Sequence, residues 1–259
     1  MSFVYRPPTE WIPPDSFPTE RLCQATEIAI DLETKDPNLK ELGPGYIRGD
    51  GEVVGISFAI DGYEDYFPFA HEQGFNFSKK KVIEFTKKIC ATNSDKIFHN
   101  STYDVGWLTK EGVTINGRII DTMIVAPLID ENQYWYSLNA LGREYINEGK
   151  TEAELNAAAE EWGLDPKAEM WRLPSAYVGT YATQDAALTL KLWNHFKILL
   201  EEQNLWNVFD LEMRVLPVIL AMKQKGVRVD LERAETLKTQ LVKREKDIIQ
   251  QIKRESGVP

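Results

Sequence analysis

Residues 27–34, EIAIDLET, alternate in polarity: Ile28, Ile30 and Leu32 fall on one side, and Ala29, Asp31 and Glu33 on the other. Successive side chains of an extended chain point to opposite faces, so this is the pattern of a strand that ends at a polar edge. Two further strand-like runs follow, VVGISFAI (53–60) and YFPF (66–69), and the Asp61-Gly62 pair between them favours a tight hairpin. Helical and extended patterns then alternate. Ser78 is expected to cap a helix over 79–91, KIF (96–98) reads as a short strand, and STYDVGWLTKEG (101–112) reads as a helix stopping near Gly112. A strand is expected around VTIN (113–116) and a helix through DTMIVAPLI (121–129), with SLNALGREYI (137–146) continuing the pattern. Thr151 and Glu154 have the spacing of a capping box. Early antiparallel strands followed by alternating elements predict an α/β fold, a mixed β-sheet flanked by helices.

The two ends differ from this middle. Residues 1–26 carry five prolines without period and read as either an extended arm or a disordered tail. From residue 204 two long helical patterns are split by KGVRVD, where Gly226 stops the first and Asp230 caps the second. The last helix is charged on most faces, as expected of a partner-seeking or a solvated helix. The expected division is therefore a Pro-rich arm (1–26), an α/β domain (27–203) and a helical extension (204–259).

With 43% hydrophobic and 27% charged residues, the 259-residue chain has an ordinary globular composition. No apolar run suggests a membrane span, and the N-terminus lacks a signal-peptide plan, so a cytoplasmic location is expected. Cys23 and Cys90, the two cysteines, have no metal-ligand spacing. The net charge of −10 argues against tracking a long duplex, which takes a basic surface, and fits carboxylates that hold cations.

Three carboxylate-bearing stretches stand out. Asp31 and Glu33 share a strand face. Asp104 follows Asn100 and Tyr103 at a helix start. In YATQDA, a helix over 179–201 puts Tyr181, Asp185, Leu188, Leu192, Phe196 and Leu199 on one apolar face. An aspartate in that stripe is costly without a partner, and no basic residue lies at i±3 or i±4. A bound cation would solve this, and an oxygen-only ligand set suits Mg²⁺ or Mn²⁺. Such clusters commonly hold two ions and run in-line displacement at phosphorus.

DLET, NSTYD and YATQD resemble the three motifs of the DEDD superfamily of 3′→5′ exonucleases, in the subgroup with tyrosine in the third motif. Thr180 stands where the companion subgroup carries histidine. More narrowly, VVGISFA, HNSTYD, IIDTMIVAPLI, SLNAL and YVGTYATQDAALTLKLW are similar to the proofreading domain of phage and bacterial family A DNA polymerases. LEMRVLPVILAMKQKGVRVD resembles the segment leading into the polymerase thumb.

This resemblance implies a ribonuclease H-like fold and hydrolysis of single-stranded DNA 3′ ends to nucleoside 5′-monophosphates with two divalent cations. Asp31, Glu33 and Asp185 would hold one ion, and Asp31 and Asp104 the other. Tyr181 would aim the water, Asn100 and Tyr103 would touch the terminal nucleotides, and the backbone at Leu32 and Thr34 would support the 3′ end. The matching position Asp121 reads as structural.

No palm or fingers segment follows, so no polymerase activity is expected of this chain. The expectation is a piece of a longer polymerase, or a short product in a bacterial or phage-infected cell that acts alone or docks on a separate polymerase chain. An RNA exonuclease similar to the ribonuclease D group is the other alternative.

Overall fold

A computed structural model describes residues 9–257. Its centre is a five-stranded sheet in the order β3-β2-β1-β4-β5. The strands are β1 (Glu27–Lys35), β2 (Glu52–Ile60), β3 (Tyr63–Pro68), β4 (Asp95–Phe98) and β5 (Ile119–Asp121). β1 pairs antiparallel with β2, and β2 with β3, whereas β4 joins β1 in parallel and β5 joins β4 in parallel. The hairpin turns at Asp61-Gly62, with Gly62 at φ 68°, the left-handed backbone glycine adopts most readily.

In chain order the helices are α1 (Thr19–Gln24), α2 (Leu39–Leu42), α3 (Gly45–Arg48), α4 (Lys79–Cys90), α5 (Ser101–Lys110) and α6 (Thr122–Ile129). They continue with α7 (Leu138–Ile146), α8 (Ala153–Trp162), α9 (Ser175–Glu202), α10 (Trp206–Lys225) and α11 (Leu231–Ser256). The alternation of β1 sorts the two faces of the sheet. Ile28, Ile30 and Leu32 enter a core with Val82, Phe85 and Ile89 of α4 and Trp107 and Leu108 of α5. Ala29 lies on the other face, in a core with Ile97, Ile120 and the α9 residues Leu188, Leu192, Trp193 and Phe196. The apolar stripe of α9 therefore spans the face that also carries Asp31 and Glu33.

Three local expectations fail. Ser78 stands at the N-cap of α4, but its side chain makes no capping hydrogen bond. The extended pair in the β4–β5 region forms over Ile119–Asp121 and not over 113–116, because the parallel partners of Lys96, Ile97 and Phe98 are Ile119, Ile120 and Asp121. The capping box does not form. α8 begins at Ala153, and the Glu154 carboxylate turns to Thr9, Glu10 and Thr180, accepting the Thr180 hydroxyl at 2.8 Å.

The Pro-rich arm was expected over 1–26, and its first eight residues lie outside the described residues. From Thr9 the chain runs without regular structure over the surface until α1, a helix too short to show a period in sequence, opens after Pro18. Thr9 donates to the Ala176 carbonyl at 2.8 Å, and the Trp11 indole fills the space beside Gly179, where a β-carbon would meet the ring at 2.0 Å.

The chain divides into two compact units, 1–224 and 225–259. In the first, α10 buries Phe209, Met213, Leu216 and Leu220. In the second, Gly226 at φ 69° precedes α11, whose first turn is capped by the Asp230 carboxylate accepting the Arg233 amide at 3.0 Å.

Gly179→Val should cost about 1–3 kcal/mol by overpacking against Trp11. Trp11→Ala should recover much of that loss in the double variant, as a non-additive cycle in urea unfolding would reveal.

Candidate active site

Asp31 and Glu33 project from β1 toward α9. Opposite them on β2 stand Ser57 and Gly55. The register slips between Glu33 and Thr34, where β2 accommodates an additional residue, Val54. The Val54 carbonyl accepts the amides of both Phe69 and Ala70, at 2.8 and 3.0 Å, so this bulge also anchors the exit of β3. Gly55 is required here because a β-carbon would fall 2.2 Å from the Tyr66 hydroxyl. Tyr66 lies fully buried across this glycine and donates to His71 Nε2 at 2.8 Å, while His71 Nδ1 donates to the Leu173 carbonyl at 3.0 Å. Burial lowers the His71 pKa to about 4, so the imidazole is neutral and suited to this relay.

Asp104 arrives on the first turn of α5. That helix is aimed by Asp121, whose carboxylate accepts the amides of Asn100 (3.0 Å) and Ser101 (2.7 Å), the Ser101 hydroxyl (2.7 Å), and the Met123 amide that opens α6 (2.9 Å). One buried carboxylate thus caps two helices and fixes the angle at which Asp104 enters the site. Asn100, just before α5, is held at φ 70°.

Asp185 and Tyr181 come from α9, one turn apart and both buried. Carboxylate oxygens of Asp31, Glu33 and Asp185 all lie within 4.8 Å of one another. Asp104 stands outside that trio but is buried and feels the charges of Asp31, Asp121 and Glu33. Local sequence did not reveal Lys150, which sits 35 residues before Asp185 and bonds its Oδ2. The Lys150 ammonium also donates to the Tyr181 hydroxyl at 3.2 Å. Sequence offers no signal for this lysine, because its approach depends on how the α7–α8 loop lies against α9.

The trio is electrostatically strained. Burial and the Asp185 charge push the Asp31 pKa from 3.8 up to about 8, with Lys150 opposing. Glu33 is pushed well above the usual carboxylate range by burial, Asp31 and Asp185, and Asp104 by burial and then Asp31. Burial raises Asp185 as well, against the pull of Lys150. Burial and the surrounding carboxylates push the Tyr181 phenol upward, so it keeps its proton and serves as a hydrogen-bond donor. Glu33 Oε1 and Asp185 Oδ1 are buried oxygens without a hydrogen-bond partner. Unpartnered carboxyl oxygens converging in this way fit a hard divalent cation, which takes oxygen ligands and favours their ionised form.

Of the residues expected to touch substrate, Leu32 turns its side chain into the opposite core, which leaves its backbone alone on this side. Thr34 Oγ1 and the Tyr103 hydroxyl lie 2.7 Å apart, and Tyr103 also donates to Asp36 at 3.2 Å. Both residues line a cleft of about 350 Å³ with Asp36, Lys40 and Lys167. Asn100 is exposed, and its Oδ1 accepts the Thr102 hydroxyl at 3.3 Å.

A mixed sheet of this order, flanked by helices and carrying a buried acidic cluster, defines a ribonuclease H-like nuclease fold. Residues 18–201 match the family described as 3′-5′ exonuclease, and the chain belongs to that family, the exonuclease domain of family A DNA polymerases. A DNA-directed DNA polymerase of Pseudomonas phage M6 is 34% identical over 254 residues, which cover 96% of this chain and 38% of the relative. The chain thus spans little more than a third of that relative's length. Among solved structures, the POL domain of Pol1 from M. smegmatis in complex with DNA primer-template and dNTP shares the fold at a TM-score of 0.61 and 15% identity, over 90% of this chain and 35% of that one. Brucella melitensis NrnC with bound Mg²⁺ shares it at a TM-score of 0.57 and 18% identity, over 81% and 90%. No helix among the described residues is long and apolar enough to cross a membrane.

The raised pKa of Asp31 sets a pH dependence. A carboxyl that keeps its proton when folded but loses it when unfolded stabilises the fold fully below pH 3.8, and that contribution is lost as pH rises toward about 8. Metal-free protein should therefore melt at a lower temperature at pH 8 than at pH 5, and millimolar Mg²⁺ should reduce the difference. Calorimetry in chelator and in Mg²⁺ checks both.

Proposed function

We propose that this chain removes nucleotides from single-stranded DNA 3′ ends, hydrolysing the terminal phosphodiester to release nucleoside 5′-monophosphates. The observation that carries the reading is the carboxylate trio Asp31–Glu33–Asp185, two of them buried and with unpartnered oxygens on Glu33 and Asp185, beside the protonated phenol of Tyr181. Asp31, Glu33 and Asp185 would hold one divalent cation, Mg²⁺ or Mn²⁺, and Asp31 with Asp104 a second. Bound there, the cations would supply Lewis-acid stabilisation of the scissile phosphate and of the departing 3′ oxygen, and lower the pKa of the attacking water.

The protein's own groups do the rest. The Tyr181 phenol orients the water by a hydrogen bond. The high pKa of this phenol excludes it as the base. Tyr103, tied to Thr34 and Asp36, offers a ring edge to a terminal base or sugar, and Asn100 an amide to the neighbouring nucleotide. Unpaired bases can splay against aromatic rings where a duplex cannot, so a cleft of this size favours frayed ends. Only a few nucleotides need enter, which the net charge of −10 tolerates.

The polymerase relatives support DNA as substrate and proofreading as the role, inside a bacterial or phage-infected cell. The nuclease would serve a polymerase either as part of a longer chain or docked on a separate one.

Asp31→Ala with Glu33→Ala should reduce Mg²⁺-dependent shortening of a labelled DNA oligonucleotide by more than about a thousandfold. A double variant as active as the parent would refute the site. An RNA oligonucleotide in the same assay should lose the competition; if it won, the substrate assignment would be wrong. Tyr181→Phe should lower kcat by about 10–100-fold with little change in KM.

A further inference from the structure

The loop that delivers Lys150 is built for the purpose. The Gln184 side chain, adjacent to Asp185, donates to the Gly149 carbonyl at 3.1 Å and accepts the Thr151 amide, bracketing Lys150 on both sides. The Lys150 amide donates to Asn139 Oδ1 at 2.9 Å. With its backbone held at three consecutive residues, Lys150 reaches Asp185 Oδ2 and the Tyr181 hydroxyl together, and its side chain is 16% exposed. Asp185 Oδ1, the other oxygen of the same carboxylate, is without a partner.

We propose that Lys150 is a positioning residue and resident counter-cation of the active centre: it holds the Asp185 carboxylate so that Oδ1 faces the trio, sets how tightly divalent cations bind there, and aims the Tyr181 proton. The inference rests on the proposed cation site. In the metal-free protein the ammonium is the nearby positive charge that offsets the trio. Once a dication sits against Oδ1, the ammonium repels it and lowers its affinity, which keeps the site exchangeable. At Tyr181 the lysine occupies a lone pair of the phenol oxygen. The phenolic hydrogen is then left to donate, and in the metal-free protein the Asp185 carboxylate one turn away takes it.

The charge and the tether can be removed separately. Lys150→Met deletes the charge at similar length, and Gln184→Ala keeps the lysine but frees its loop. Mn²⁺ binding to the full chain, followed by the spin-resonance signal of free Mn²⁺, should tighten about tenfold or more in Lys150→Met. The metal-free variant should melt about 5 °C or more below the parent. kcat should fall at least tenfold with KM within about twofold, and Lys150→Arg should restore part of it. Gln184→Ala should move kcat in the same direction by less and leave Mn²⁺ affinity closer to the parent's. Unchanged or weaker Mn²⁺ binding in Lys150→Met would overturn the counter-cation role, and an unchanged kcat the positioning role. Failure of the parent itself to bind Mn²⁺ would instead remove the cation site. In that case the melting temperature of metal-free Lys150→Met still judges the lysine, and an unchanged value refutes it.

Discussion

Holding Asp31, Glu33 and Asp185 within 4.8 Å of one another under a long helix sets like charges against each other where water screens them poorly. Unit charges at ~5 Å repel by about 3 kcal/mol at an effective dielectric constant of ~20. A structure keeps such a cluster only if its surroundings are rigid enough to stop the carboxylates from swinging apart. The restraints are visible on every side. β1 is locked between an antiparallel and a parallel neighbour, Asp121 pins the helix that brings Asp104, and α9 is gripped by the two sheet-facing cores and by Trp11 in the notch at Gly179. Much of the fold can be understood as scaffolding for one unfavourable arrangement.

That arrangement was partly legible in the sequence. Period-two alternation in EIAIDLET places Asp31 and Glu33 on one face whatever the tertiary context. Period-3.6 spacing in α9 places Asp185 among residues that must be buried. Both patterns are local, and backbone geometry alone determines them. What was illegible is what depends on distant segments. A buried aspartate needs a partner for its charge, but inspecting i±3 and i±4 could not find Lys150, which comes from another loop, so the lack of a basic neighbour in sequence did not by itself point to a metal. Tyr66 is similar: its role depends on crossing Gly55 on the neighbouring strand. The missing capping box shows a tertiary contact outcompeting a local motif, since Glu154 bonds Thr180 and the arm in place of its own helix end. The misplaced strand at 113–116 has suitable β-branched residues, but parallel pairing with β4 selects the residues three to six positions later.

Composition and site answer each other as well. The chain has 40 acidic residues, and only a few of them gather at the site, where bound cations would reverse the local sign.

The strand order carries one more consequence. From β1 the chain builds outward through β2 and β3 on one flank, then returns to add β4 and β5 on the other. β1 and β4 run side by side in parallel, yet the connections leaving them proceed in different directions, from β1 to β2 on one flank and from β4 through α5 to β5 on the other. In open α/β sheets that divergence leaves a crevice. Asp31 and Glu33 lie toward that end of β1, and Asp104 is on the helix that follows β4. The location of the acidic centre is therefore a property of the wiring: a sheet with the same strands joined in simple succession would have no such switch point at its middle.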